Sequence, residues 1–356
     1  MAPVVLEMRK HPEDFHVRVV VTGQHREQLD QVLRVFEITP DHDLSIMRHG
    51  QTLTQITARA LEGLDEDLQS HPQDICLAQG DTTTTFVAAL AAFYHKVPFG
   101  HVEAGLRTGN KYDPFPEEMN RRLAGVITTW HFSPTQEARA NLLAEGIDPS
   151  TIYVTGNTSI DALRSVADRA LSPEEDLAAS LIAPDHRLIL VTTHRRENWG
   201  APMENIATAL RRIAEEFTDC ELVVAMHRNP IVRDTLRAQL DGVERVHLIE
   251  PPDYAPFVHL MKRATLILTD SGGVQEEAPT LGVPILVLRR TTERPEGVDA
   301  GTAKLVGTDV ETIVTEARTL LTNPEAHAAM SRAANPYGDG GAAKLIVDAL
   351  RAQREL

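Results

Sequence analysis

At 356 residues the chain is too long for one comfortable core and reads as two domains. Apolar residues make up 42 %, the share of an ordinary globular protein, while 35 Lys and Arg against 51 Asp and Glu leave a formal net charge of −16. That charge argues against a nucleic acid or an anionic membrane as partner; it leaves room for a small phosphorylated ligand held by a local basic cluster. The two cysteines, Cys76 and Cys220, lie in or beside strand-like runs and read as buried free thiols, in keeping with a cytoplasmic location. Residues 1–14 lack the apolar core of a signal peptide, and the strongly apolar stretch 86–94 is too short to span a bilayer.

In chain order, residues 1–9 read as a helix, and strands are expected at 17–21, 75–78, 97–101 and 130–133. Helical patterns over 51–61, 83–94 and 135–145 separate them. A charged helical region, 161–183, with Pro173 and Pro184 as punctuation, is the candidate linker. A second set of strands follows at 188–192, 222–225, 246–249, 266–269 and 285–288, with helices over 203–217 and 231–240. Strands alternating with helices predict an α/β protein with parallel sheets covered on both faces. The expected architecture is two doubly wound, Rossmann-like domains, 1–158 and 159–344, with a helix near 345–356 packing back on the first. Ligands of such domains bind at the carboxyl ends of the strands, here in an interdomain cleft.

The residues able to do chemistry cluster at those strand ends. Gln79-Gly-Asp-Thr-Thr follows the strand at 75–78, so Asp81 is either a cleft carboxylate or a helix N-cap. His101-Val-Glu-Ala-Gly follows the next strand. Its His-x-Glu resembles the opening of a zinc site, but no Pro-Cys-x-x-Cys follows, so no metal is expected and Glu103 reads as an acid or base. Pro116, Glu117 and Glu118 open a helix, where acids suit the dipole; Glu117 is the third candidate carboxylate. Clustered carboxylates can split into one acid and one base. His194, Arg195 and Arg196 end the first strand of the second set and suit a diphosphate, or else pair with Glu197 and nearby acids. Tyr254 and Phe257 lie in a proline-bounded segment; Phe257 either flanks a flat base or fills the core. Asp270-Ser-Gly-Gly reads as a tight turn capped by Ser271, with Gly272 and Gly273 baring backbone donors to phosphate. The competing reading is a strand-turn-helix whose glycine serves packing. One turn on, Glu277 is placed to grip sugar hydroxyls, and Arg294 follows the strand at 285–288.

With these motifs in this order, the chain resembles the bacterial non-hydrolysing UDP-N-acetylglucosamine 2-epimerases over nearly its whole length. Thr22-Gly-Gln-His-Arg26, Gln79-Gly-Asp-Thr-Thr83, His101-Val-Glu-Ala-Gly-Leu-Arg107, Pro116-Glu-Glu-Met-Asn-Arg121, His194-Arg-Arg-Glu-Asn198, Asp270 to Pro279 and Thr291 to Glu296 carry the likeness. The resemblance implies the two-domain glycosyltransferase-B fold, a homodimer, no cofactor, and reversible interconversion of UDP-N-acetylglucosamine and UDP-N-acetylmannosamine through 2-acetamidoglucal. It implies Asp81, Glu103 and Glu117 as catalytic carboxylates and His194 beside the phosphates. It implies Ser271, Gly272 and Gly273 as phosphate binders, Glu277 as ribose binder, Arg294 as a further substrate contact and Phe257 at the uracil side. The chain has no Gly-x-Gly-x-x-Gly after a strand, which separates it from nicotinamide-dependent epimerases.

Allosteric members of that family hold a second UDP-N-acetylglucosamine as activator, and Gln24, His25, Gln51, Arg195 and His227 match positions used there. Gly50 stands where some of them carry Arg. The family also has a strand and a Gly-Thr-Arg-Pro-Glu motif ahead of the first helix, for which residues 1–9 offer no match. The expectation is therefore a natural start some 15 residues upstream, about one strand and a turn. The competing functions are a hydrolysing relative releasing UDP and N-acetylmannosamine, a UDP-sugar glycosyltransferase on the same fold, and a UDP-sugar sensor without turnover.

Overall fold

The computed structural model describes residues 1–23, 26–48, 50–292 and 294–353 and, of residues 26–28, the backbone alone. It divides into two compact units: Met1–Ala162 with Tyr337–Leu356, and Leu163–Pro336.

In the first unit, β1 (Val20–Val21) pairs in parallel with β2 (His42–Asp43). A separate parallel sheet runs in the order β3 (Cys76–Gln79), β4 (Phe99–Val102), β5 (Trp130–Ser133) and β6 (Ile152–Val154). The crossover helix Thr83–Tyr94 begins at Thr82, whose hydroxyl accepts the Thr85 N–H at 3.3 Å. Its buried face is Val87, Ala88, Ala89, Ala91 and Ala92, small side chains that let it press closely on the sheet. The helix Ala2–Arg9 packs Val4 and Met8 against Ile346, Val347 and Leu350 of the helix Ala342–Gln353. Asp161 caps that last helix from afar, accepting the N–H groups of Gly341, Ala342 and Ala343 at 3.0, 3.1 and 3.2 Å. The strand expected over 17–21 is confined to Val20 and Val21. Its other flank faces a cavity of about 1060 Å³, lined by Val17, Val19, Ile75, Leu77 and Trp130, rather than a neighbouring strand. Pairing on one side alone sustains only a short ladder.

The second unit holds one parallel sheet in the order β12-β11-β10-β7-β8-β9. These strands are β7 (Arg187–Thr193), β8 (Cys220–Met226), β9 (Val246–Ile249), β10 (Ala264–Thr269), β11 (Ile285–Val287) and β12 (Ala303–Leu305). Leu188, Ile189, Leu190 and Val191 are fully buried, as a central strand covered on both faces must be. The helix Ala201–Glu216 buries the stripe Met203, Ile206, Leu210 and Ile213 on the sheet. The chain starts in the middle at β7, winds outward to β9, then returns to β10 beside β7 and winds the other way. The loops leaving β7 and β10 therefore diverge at a topological switch point, where a ligand fits.

The short strands β2, β6 and β12 carry little pattern of their own and were not expected from the sequence. The region 161–183 holds the helices Thr158–Ala167 and Leu177–Leu181. Cys76 and Cys220 are free; burial pushes their thiols up to about 12 and about 11, which keeps them neutral and unreactive. No helix among the described residues is long and apolar enough to cross a membrane.

Candidate active site

In the first unit the loops leaving β3 and β4 bring two of the three expected carboxylates together. The cap of the helix Thr83–Tyr94 is Thr82, so the Asp81 side chain is spent elsewhere. Its Oδ2 lies 2.8 Å from Arg121 Nη2, and the same nitrogen lies 3.3 Å from Glu103 Oε1. Gln79 Nε2 donates to the other Glu103 oxygen at 3.1 Å. The turn itself is pinned: Asn120 Nδ2 donates to the Asp81 carbonyl at 2.9 Å, and His101 Nε2–H donates to the Gly80 carbonyl at 2.7 Å. His101 is buried, and that burial pushes it down to about 4, so it stays a neutral donor.

Glu103 has φ +66°, left-handed backbone that a side chain of this size adopts at a cost of about 1–3 kcal/mol. Gly105, two residues on, is required for packing: a Cβ there would sit 2.2 Å from the Ala138 carbonyl oxygen. Gly109 meets nothing within 4 Å. Glu117 is the first residue of the helix Glu117–Ile127. That helix places Glu117 and Arg121 one turn apart on one face.

In the second unit the turn after β10 is built as expected. Ser271 caps the helix Gly272–Glu277, its Oγ accepting the Val274 N–H at 3.5 Å. A Cβ at Gly273 would come within 3.9 Å of nothing closer than Ser271 Oγ, and one at Gly272 would lie 3.7 Å from Arg195 Nη2. These are ordinary contacts, so protein packing does not demand either glycine.

Asp270 organises this end of the sheet, a role that its local sequence does not announce. It is fully buried and accepts the His194 N–H at 3.0 Å, the Arg195 N–H at 3.0 Å and Asn198 Nδ2 at 2.9 Å. Its Oδ1 also lies 2.9 Å from His194 Nδ1. Burial alone would raise its pKa, but the His194 contact and the two backbone N–H groups outweigh it and hold the carboxyl below its usual range. With Nδ1 engaged, His194 turns its Nε2 side outward. The His194 and His227 rings stand 6.1 Å apart between centroids.

Glu277 lies at the end of the capped helix. Burial, then the neighbouring Glu276, pushes it up to about 8, and Tyr254 OH donates to its Oε1 at 3.3 Å. Phe257, one turn beyond Tyr254 on the helix Tyr254–Arg263, is half-buried. Arg294 is ion-paired with Glu276, and Gln275 accepts the Thr292 hydroxyl at 2.7 Å, which ties the Arg294 loop to the glycine turn. Glu197 pairs with Arg289 at 2.7 Å. Gln51 accepts from Arg59 Nη1 at 2.6 Å. Gln24 and His25 lie outside the described residues.

Sequence reasoning missed Glu118 as well. It is fully buried and accepts the Thr108 N–H at 3.0 Å, the Gly109 N–H at 3.3 Å and Arg122 Nε at 3.1 Å. It thus fixes the loop leading into the Glu117 helix, and only its burial distinguishes it from Glu117.

A model of the UDP-N-acetylglucosamine 2-epimerase family matches residues 7–351. The UDP-N-acetylglucosamine 2-epimerase of Bacillus subtilis strain 168 is 54 % identical over 351 residues, covering 98 % of this chain and 91 % of that protein. The enzyme of that name from Escherichia coli K12 is 53 % identical over 359 residues, covering 99 % and 95 %. Among solved structures, UDP-GlcNAc 2-epimerase from Neisseria meningitidis bound to UDP-GlcNAc superposes with a TM-score of 0.88 at 47 % identity, over 99 % of this chain and 96 % of that one. With its motifs, its parallel α/β units and these relatives in agreement, the chain belongs to the UDP-N-acetylglucosamine 2-epimerase family.

Proposed function

We propose that the chain interconverts UDP-N-acetylglucosamine and UDP-N-acetylmannosamine by elimination and re-addition of UDP. The observation that carries the reading is the pair Asp81 and Glu103 at neighbouring strand ends, with Glu103 held in costly left-handed backbone. In the forward direction a carboxylate of the set Asp81, Glu103 and Glu117 takes the C2 proton. The C2–H electron pair forms the C1=C2 double bond of 2-acetamidoglucal, and the C1–O pair leaves with UDP. Protonation of C2 on the opposite face and re-addition of UDP to C1 give the epimer.

Ser271, Gly272 and Gly273 offer the diphosphate a capped helix start, and His194, held by Asp270, supplies a donor to the leaving charge. Glu277 takes the ribose, Phe257 flanks the uracil and Arg294 makes a further substrate contact. The proposal extends to a cytoplasmic homodimer. Exposed Phe93, Tyr94, Leu123 and Val126, on the packed helices Thr83–Tyr94 and Glu117–Ile127, supply an apolar face suited to a second copy. It extends also to a second UDP-N-acetylglucosamine as activator at Gln24, His25, Gln51, Arg195 and His227.

The test is proton NMR of UDP-N-acetylglucosamine with the protein in deuterated water. UDP-N-acetylmannosamine carrying deuterium at C2 is the expected product. Free N-acetylmannosamine with UDP would mark a hydrolase, and no turnover without an added acceptor would mark a transferase or a sensor.

A further inference from the structure

We propose that Arg121 is a positioning residue for the epimerisation, a single cation that joins Asp81 to Glu103 and holds both carboxylates in working geometry. The inference rests on the reading that these two carboxylates serve the reaction. One terminal nitrogen, Nη2, reaches both, at 2.8 and 3.3 Å, and the arginine is nearly buried. Asp81 and Glu103 belong to different loops, leaving β3 and β4, and Arg121 belongs to a third element, the helix Glu117–Ile127. The bridge therefore ties these two loops to one helix.

The Arg121 cation contacts both carboxylates and anchors Glu103, whose φ of +66° is costly. Gln79 anchors the other Glu103 oxygen, but as a neutral amide. Glu117 shares the helical face of Arg121, so the same residue orients the helix that carries the third carboxylate.

Other titratable groups stand around the bridge. The Met1 amino group donates to Gln79 at 2.6 Å and is held down to about 6 by burial. His101 is kept neutral by burial, with Arg107, His131 and Arg121 itself disfavouring its charge further.

The test compares wild type with R121Q, R121K, D81N, E103Q and the D81N/R121Q pair, measuring kcat and KM for UDP-N-acetylglucosamine from pH 5 to 9. R121Q should lower kcat by roughly 10²-fold, the size of a modest misplacement of reacting groups, with KM little changed. R121K keeps a single-nitrogen cation, so it should lose less activity. On the D81N background R121Q should cost less than on wild type.

Equal losses on both backgrounds overturn the bridge while leaving the carboxylates in place. If R121Q does not fold, R121K decides alone: a kcat loss of roughly 10²-fold overturns the proposal. Near-normal turnover in both D81N and E103Q overturns the carboxylate assignment itself, a result distinct from failure of the bridge.

Discussion

Asp270→Asn is the sharpest probe of the second unit. The carboxylate faces donors on both oxygens: His194 N–H and Nδ1 at Oδ1, and the Arg195 N–H and Asn198 Nδ2 at Oδ2. An amide of the same shape has one oxygen. If its NH2 turns to the Oδ2 side, it meets the Arg195 and Asn198 donors. If it turns to the Oδ1 side, His194 Nδ1 must become an acceptor and its proton moves to Nε2. Either way one bond to a buried charge is lost, worth about 1.5–3 kcal/mol. For a unit of this size that corresponds to a fall in Tm of about 3–12 °C. Either arrangement also removes the negative charge behind His194 and disturbs the orientation of its ring, so kcat should fall by roughly 10²-fold or more. Steady-state kinetics with a thermal melt of the same sample checks both numbers. Because Asp270 is held below the usual carboxylate range, its contribution is present at neutral pH and above, and is lost only as pH falls through its lowered value. D270N should therefore narrow its stability gap to wild type in strong acid. A variant with wild-type kcat and Tm would refute the reasoning.

Further outcomes follow from the same geometry. D81N, E103Q and E117Q should each cut kcat by roughly 10²-fold while UDP affinity by calorimetry changes far less; near-normal turnover in E103Q and E117Q would remove them from the proton chemistry. Gly273→Val adds a branched side chain where protein packing leaves room, so the fold should survive while KM rises sharply; unchanged UDP binding would make the turn structural only. Glu277 is raised from 4.5 to about 8 by burial and Glu276, so the folded state holds its proton more tightly and this group costs stability as pH climbs between those values. If the ribose takes the ionised form, UDP binding at pH 7 should release a proton, visible as a dependence of binding enthalpy on buffer, and E277Q should abolish it. If the second nucleotide site works despite Gly50, turnover of pure UDP-N-acetylmannosamine should lag until UDP-N-acetylglucosamine is added; an immediate full rate would count against an effector.

The alternation of doubly apolar runs with amphipathic helices determined the parallel α/β architecture from the sequence, because burial on both faces leaves no polar period in a strand. Local chemistry likewise determined the Ser271 cap and the turn that bares Gly272 and Gly273, since every group involved is a near neighbour in the chain. Short strands such as β2 and β6 escaped, because a few residues carry no period and their pairing is decided by a neighbour already in place. The polar partnerships escaped for the same reason. Glu117 and Glu118 are adjacent acids at one helix start, yet only Glu118 is buried under the N–H groups of Thr108 and Gly109. Asp270 looked like part of a turn until the loop leaving β7 brought His194, Arg195 and Asn198 onto it. Which donor meets which carboxylate depends on the order in which strands lie in the sheet, and that order is a property of the whole unit. Tertiary structure alone decided that Arg121, unremarkable on its helix, stands between Asp81 and Glu103, because three separate loops and helices must converge before one nitrogen can reach two charges.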